Sequence, residues 1–390
     1  MDIFLSQLDP RQRPKGTRDS LGFEQIWTFY GRKIVVGITT ITSSLDNFIV
    51  ALLGFYLSEE YAGDNKDKAN FFMRYEQLIA YIRLEKDQRS NILGVSRAKK
   101  NMQVNGNKAL SIHNQILSSQ LSYGLWGLYS TALADVGLIK NRVITQDGYK
   151  IIEMIKKEYP SLLKYIVNKS KFENSDPLRY SEHVESVSEL LANKEVRKTL
   201  LSSLLKKSSL YQYIEEGGDL LCDNTSKNLL ELTNSIINNK LVNEELKSNI
   251  SDIRKIDKVM LVANKLFNAL SHANNDGDNV DKYIERISKL NIPRLELPDG
   301  KLRNKEVLTN FVNSINSRKY RLAIEALLEI NKIIMKDRDS IPWVEVDEKN
   351  KLKIRVKTHS TIDENEEFLG MAYNYFICSY LSIAKHLKAS

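Results

Sequence analysis

Proline is almost missing from two long stretches of this 390-residue chain, and that limits its folds more than any other feature. The seven prolines stand at positions 10, 14, 160, 177, 293, 298 and 342, so residues 15–159 and 178–292 contain none. With 17 glycines besides, the chain has few of the residues that punctuate turn-rich β-architectures, and long proline-free runs favour helices. The expected fold class is therefore mainly α, with multi-helical domains. Hydrophobic residues at 42% and charged residues at 27% exclude a disordered chain or an integral membrane protein.

Apolar periodicity divides the chain into three expected domains, 1–160, 161–290 and 291–390. In the first, Phe71, Tyr75, Leu78, Ile79 and Ile82 recur at helical spacing and predict one apolar stripe over 71–84. A polar segment from Glu85 to Asn107 reads as loosely structured. Helical pattern returns at Ala109–Leu117 and Gln120–Val136, the latter closed by Gly137 as a left-handed C-cap, and then at Gly148–Tyr159 up to Pro160. The second block is leucine-rich and helical throughout, with loops at Glu216–Asn224 and Asn274–Asn279.

The third block opens on the proline-containing link Asn291–Gly300. Helices are expected at Lys305–Ser317, Tyr320–Met335 and Phe368–Leu387. Between them, Trp343–Lys357 alternates on both sides of Asp347–Asn350 and predicts a β-hairpin. A three-residue loop would set Asp347 opposite Lys351, Glu345 opposite Lys353 and Trp343 opposite Arg355 on a solvent face. Val344, Val346, Leu352, Ile354 and Val356 would form the buried face.

Little in the chain signals catalysis. There is no phosphate loop, no dinucleotide fingerprint and no zinc spacing; Cys222 and Cys378 lie far apart in sequence and offer no disulfide framework. In Asn274–Asp278, aligning Gly277 with the invariant glycine of a calcium loop leaves His272 and Tyr283 at ligand positions, so the segment reads as a turn. No catalytic residue, metal ligand or cofactor is expected. A metal-dependent nuclease built on Asp339 and Asp347-Glu348-Lys349 is the weakest alternative. The N-terminus lacks the pattern of a secretory signal. Asp46 interrupts the most apolar stretch, Ile34–Leu57, so a cytoplasmic protein with no membrane partner is expected. Gly37–Ser44 could contact phosphates through its hydroxyls, but Ser43 or Ser44 fits better as a helix N-cap.

Charge is distributed more informatively. The net charge is +8, and residues 88–134 hold Arg89, Arg97, Lys99, Lys100 and Lys108 with no acidic residue. A 47-residue stretch at +5 fits a phosphate-facing surface. It runs into Leu133-x-x-x-Gly137-Leu138-Ile139, a short basic link, and Ile144-Thr145-x-x-Gly148 opening a helix. That order resembles a winged helix-turn-helix, with Lys140 and Arg142 on the wing, a fold that serves protein contacts as readily as DNA contacts. Candidate DNA-binding residues are therefore Arg89, Arg97, Lys99, Lys100, Lys108, Gln120, Lys140 and Arg142.

Further motifs lie in the N-terminal third: Arg18-Asp19-x-Leu21-Gly22-Phe23 with Ile26, Gly37-Ile-Thr-Thr-Ile-Thr42, the apolar run Phe48–Tyr56, Phe72–Ile82 containing Glu76, Ile92-Leu-Gly-Val95 and Ser118–Ile139. Over residues 18–140 the chain thereby resembles, at a distance, an uncharacterised family encoded in bacterial anti-phage defence islands beside helicases and phospholipase-D-type nucleases. Where that family has Phe-Pro-Gly and an Arg-Tyr-Phe-like cluster, this chain has Val35-Val36-Gly37 and Asp46-Asn47-Phe48. The resemblance implies a defence role in a DNA-associated complex with helicase or nuclease partners, and no catalytic residues. A structural adaptor that never touches DNA is the alternative.

Overall fold

The computed structural model describes residues 19–104, 110–173, 183–362 and 368–389. They are mainly helical, with a small two-stranded antiparallel sheet near the C-terminus. Among the described residues, no helix is long and apolar enough to cross a membrane. Neither Cys222 nor Cys378 is a free thiol, whatever their separation in sequence suggests.

The chain divides into two interleaved units rather than three consecutive blocks. One takes Val35–Leu221 and Phe376–Ser390; the other takes Met1–Ile34 and Cys222–Tyr375. The expected boundaries near 160 and 291 fall inside units. Pro160 is the first residue of the Pro160–Ser170 helix, a position where the missing N–H costs nothing. Proline there marks a helix start and not a domain edge.

The Val35–Leu221 unit is built round two long helices, Leu45–Tyr61 and Asn65–Lys86. Ser44 caps the first, its hydroxyl accepting from the Asn47 amide at 3.4 Å. The Thr-rich turn before it is tied internally, with the Thr42 hydroxyl donating to the Gly37 carbonyl and Thr39 accepting from the Thr42 amide. Asp64 caps the second helix by accepting from Lys66 and Asp67 at 2.9 Å each. A helix apolar on one stripe lies on a surface, whereas one buried all round is a core helix. Every residue from Phe71 to Leu84 is buried, so the expected single stripe is a core helix instead.

That burial includes Arg74, Glu76, Gln77 and Arg83, and each has partners. Arg74 donates to the carbonyls of Ser170 and Lys171 at the end of the Pro160–Ser170 helix, at 2.7 and 2.8 Å. Arg83 donates to Asn47 Oδ1 at 2.7 Å. Gly54 lets the two helices touch: a Cβ there would lie 2.5 Å from the Tyr75 ring and 2.7 Å from the Phe72 ring.

Other expectations shift. Ala109–Leu117 is not helical where described, whereas Val95–Val104, expected to be loose, forms a helix. The Gln120–Val136 helix breaks at Gly124 into Gln120–Tyr123 and Leu125–Asp135. Gly137 does take positive φ (+83°), with Leu138 N–H bonding back to Leu133 O at 2.9 Å, the pattern of a glycine-ended helix. A two-residue turn follows, pairing Ile139 with Ile144 and Lys140 with Val143. Its central residues, Asn141 and Arg142, both have positive φ, as a tight hairpin of right-handed twist requires.

In the Cys222–Tyr375 unit the 27-residue helix Glu244–Leu270 packs against Phe23–Ile34 and Ser226–Asn238, while Lys305–Asn316 pairs with Tyr320–Asp337. The hairpin forms in the expected register: Val344 opposite Ile354, Glu345 opposite Lys353, Val346 opposite Leu352. Val344, Leu352 and Ile354 are buried; Val346 and Val356 are half-buried. Trp343 departs from the expected solvent face. It is buried beside Phe267, and its backbone N–H donates to Asn331 Oδ1 at 2.8 Å.

The expected Phe368–Leu387 helix is shortened to Ile377–Ala384, followed by the single turn His386–Ala389. Asp257, in mid-helix, accepts from the backbone amides of Ala372 (2.8 Å) and Tyr373 (3.1 Å), fixing that stretch in a non-helical path. Tyr375 and Phe376 then adopt positive φ.

Candidate nucleic-acid interface

The Val95–Val104 helix places the basic residues singled out from the sequence. Gly94, at φ +75°, leads into it; a Cβ at this position would meet the Ile116 carbonyl oxygen at 2.2 Å. Ala98 is buried, and Asn101, one turn on, donates to the Tyr81 hydroxyl and the Asn114 carbonyl. Residues three apart share a helix face, so Ala98 and Asn101 define the inner one. Arg97 and Lys100 are exposed and Lys99 is half-buried. The helix carries no acid, and among the described residues no carboxylate forms an ion pair with Arg97, Lys99 or Lys100.

Lys140 and Arg142 are exposed on the two-residue hairpin, with the Arg142 guanidinium 4.8 Å from the Trp126 ring centroid. Stacking of this kind restrains a guanidinium while leaving its N–H groups for a ligand. Arg89 is exposed, but it lines a surface cavity with Asp46 and Asp87. Elsewhere in the same stretch, Glu173 accepts from the Ser111 hydroxyl and the Ile112 amide. A run without acids in sequence thus has acids from outside it, Asp46, Asp87 and Glu173, beside parts of it in the fold. Lys108 lies outside the described residues.

Gln120 requires a correction: it is fully buried and cannot reach a phosphate. Its Nε2 donates to Glu76 Oε2 and the Met73 carbonyl, both at 2.9 Å, and its Oε1 accepts from Gln77 at 3.1 Å and the Ile116 amide at 3.3 Å. Every hydrogen-bonding position of the amide group is directed inward.

Glu76, which the sequence shows only as part of the Phe72–Ile82 motif, is the partner that holds Gln120 inside. Its Oε1 accepts from the Leu125 amide, at the start of the Leu125–Asp135 helix, at 2.8 Å. Burial pushes its carboxyl up to about 7, against the lowering effect of the Leu125 and Gln120 hydrogen bonds. Gly124 has no room for a side chain, since a Cβ would stand 2.7 Å from Glu76 Oε2. With both oxygens engaged and no solvent access, this is a structural clamp between helices and not a general acid or base.

The same unit carries a second basic surface that no single run of the sequence marks. Lys156, Lys164 and Lys171 join Tyr56, Tyr61 and Leu163 round a 370 Å³ cavity between the Leu45–Tyr61 and Pro160–Ser170 helices. Lys156 and Lys171 sit 5.7 and 5.9 Å from the Tyr56 and Tyr61 ring centroids. The signal was present as Lys156-x7-Lys164-x6-Lys171, a near-helical spacing spread across Pro160, where the helix breaks.

Among the described residues no group of three or more His, Cys, Asp or Glu is placed to hold a metal ion. Asp347 accepts from the Lys349 and Lys351 amides of its own hairpin loop, so its carboxylate organises the turn. Comparison of the chain with family models, curated proteins and solved structures finds no match.

Proposed function

We propose that this chain is a non-catalytic, DNA-associated subunit of a bacterial anti-phage defence complex, contacting duplex phosphates and docking a helicase or nuclease partner. The observation that carries the reading is the outer face of the Val95–Val104 helix, where Arg97 and Lys100 are exposed beside the half-buried Lys99 without a paired carboxylate among the described residues. Lys140 and Arg142 add a second contact on the tight hairpin. The order Leu125–Asp135 helix, hairpin, Gln146–Glu158 helix supports reading this segment as winged-helix-like, with the hairpin as the wing. The defence setting rests on the resemblance over residues 18–140.

A phosphate contact of this kind releases counterions, so binding falls with salt at about 0.9 log units per log of salt for each contact. Duplex binding followed by fluorescence anisotropy across a salt series is expected to be measurable at low salt. The triple reversal R97E/K99E/K100E is expected to flatten the slope by about two to three such increments. A wild type with no DNA affinity at low salt, or a triple variant with an unchanged slope, would overturn the reading. Retention of a helicase or nuclease partner by a chain that binds no DNA would favour the adaptor instead.

A further inference from the structure

The Cys222–Tyr375 unit holds a 390 Å³ cavity whose chemistry none of the preceding features uses. Arg254, Lys255 and Lys258 reach it from successive turns of the Glu244–Leu270 helix, and Arg294 reaches it from the link that follows Leu290. Among the described residues no carboxylate forms an ion pair with any of the four. Phe368 and Met371, both buried, supply an apolar wall. Two acids line the cavity. Glu296 is exposed at its edge, and Asp257 is turned to the wall, accepting from Ala372, Tyr373 and the Tyr375 hydroxyl at 2.8, 3.1 and 2.9 Å.

The wall is held before any ligand arrives. Met371 exchanges two hydrogen bonds with Ser226: its amide donates to the Ser226 carbonyl at 3.2 Å and its carbonyl accepts from the Ser226 hydroxyl at 2.6 Å. Gly370 has φ +86°, and a Cβ there would lie 2.1 Å from Ser226 Oγ, so no other residue lets the strand of chain approach this closely. Lys265 Nζ stands 5.4 Å from the Phe368 ring centroid, a cation–π contact that restrains the ring. Pre-ordered walls reduce the entropy lost on binding.

We infer that this cavity binds a phosphorylated small molecule with a planar or apolar portion, of the nucleotide class. The four cations take the phosphates and the Phe368–Met371 wall takes the base. Four cations against two lining acids, one of them turned to the wall, leave an excess of positive charge among the described residues that matches a di- or triphosphate better than a single carboxylate. The apolar wall gives a nucleoside something an inorganic phosphate cannot use. This inference does not rest on DNA contact, which belongs to the other unit.

The test uses the full chain and trinitrophenyl-ATP as a fluorescent probe, competed with ATP, inorganic pyrophosphate and adenosine. ATP is expected to displace the probe, pyrophosphate to do so more weakly, and adenosine to fail. R254A/K258A, and separately R294A, are expected to weaken binding by about tenfold or more, with the thermal midpoint held close to wild type. R97E/K99E/K100E is expected to keep wild-type affinity for the probe while losing duplex DNA, so the two readings fail independently. Absence of probe binding, equal binding by R254A/K258A and R294A, or competition by pyrophosphate equal to that of ATP would overturn it.

Discussion

Raising the pH from 4.5 to 8 is expected to lower the stability contributed by Glu76 by about 3 kcal/mol, and Glu76→Gln to remove that dependence. In the unfolded chain this carboxyl ionises near its ordinary value of 4.5; in the folded chain burial holds the proton to about 7. Below 4.5 both states are protonated and the contribution is fully present. Between 4.5 and 7 the unfolded chain has released a proton that the folded chain keeps, so each rise in pH favours unfolding. Above 7 both are ionised and the loss is complete.

Glutamine keeps an oxygen for the Leu125 amide but turns an N–H₂ toward the Gln120 Nε2 that now donates to Glu76. That mismatch costs about 1–3 kcal/mol at every pH, an offset and not a slope. Denaturant midpoints of wild type and variant, measured at the same pH values, separate the two effects. Parallel profiles for the two proteins would show that Glu76 is not the titrating group. Asp257 in the other unit, pushed up to about 6 by burial, acts in the same direction over pH 4–6. Asp257→Asn therefore makes an internal comparison.

The other large effect is steric. Phe72→Ala is expected to destabilise the Val35–Leu221 unit by about 3–5 kcal/mol. Phe72 is fully buried, and its ring centroid lies 4.9 Å from that of Phe55, 5.1 Å from Trp126 and 5.8 Å from Tyr75. Alanine removes the transfer energy of the ring and leaves a cavity that three rigid aromatic neighbours cannot collapse into. Phe72→Leu keeps most of the volume and should cost less than half as much. Trp126 emission during denaturant unfolding, read with Trp27 and Trp343 replaced by Phe in both proteins, reports the loss. A Phe72→Ala midpoint within error of wild type would mean that the aromatic cluster is not what holds the two central helices together.

How much of this was legible in the residues varies with how local its cause is. The hairpin register over Val344–Ile354 was legible because strand alternation and loop length fix it within a dozen residues. Gly137 and Ser44 were legible for the same reason, as caps acting over one turn. The Phe71–Leu84 helix was legible as a helix but not as a core helix. Arg74, Glu76 and Gln77 look like a polar face until Ser170, Gln120 and Ser111 arrive from distant segments to satisfy them. The candidate site was legible only in part. Charge alone singles out Arg97, Lys99 and Lys100, which the structure sets on one helix, whereas Gln120 is buried because it pairs with Glu76, 44 positions earlier, which nothing in its neighbourhood announces.

By itself, then, the sequence determined the helical class, the hairpin, most helix ends and where positive charge concentrates, since period, caps and proline act through neighbours along the chain. Tertiary structure decided the rest. It made two interleaved units of three apparent blocks and bent residues 368–376 out of a helix through Asp257. It also gathered Arg254, Lys255, Lys258 and Arg294 round one cavity. Each of those outcomes depends on pairing groups far apart in sequence, and a buried polar group finds its partner only when the chain has folded.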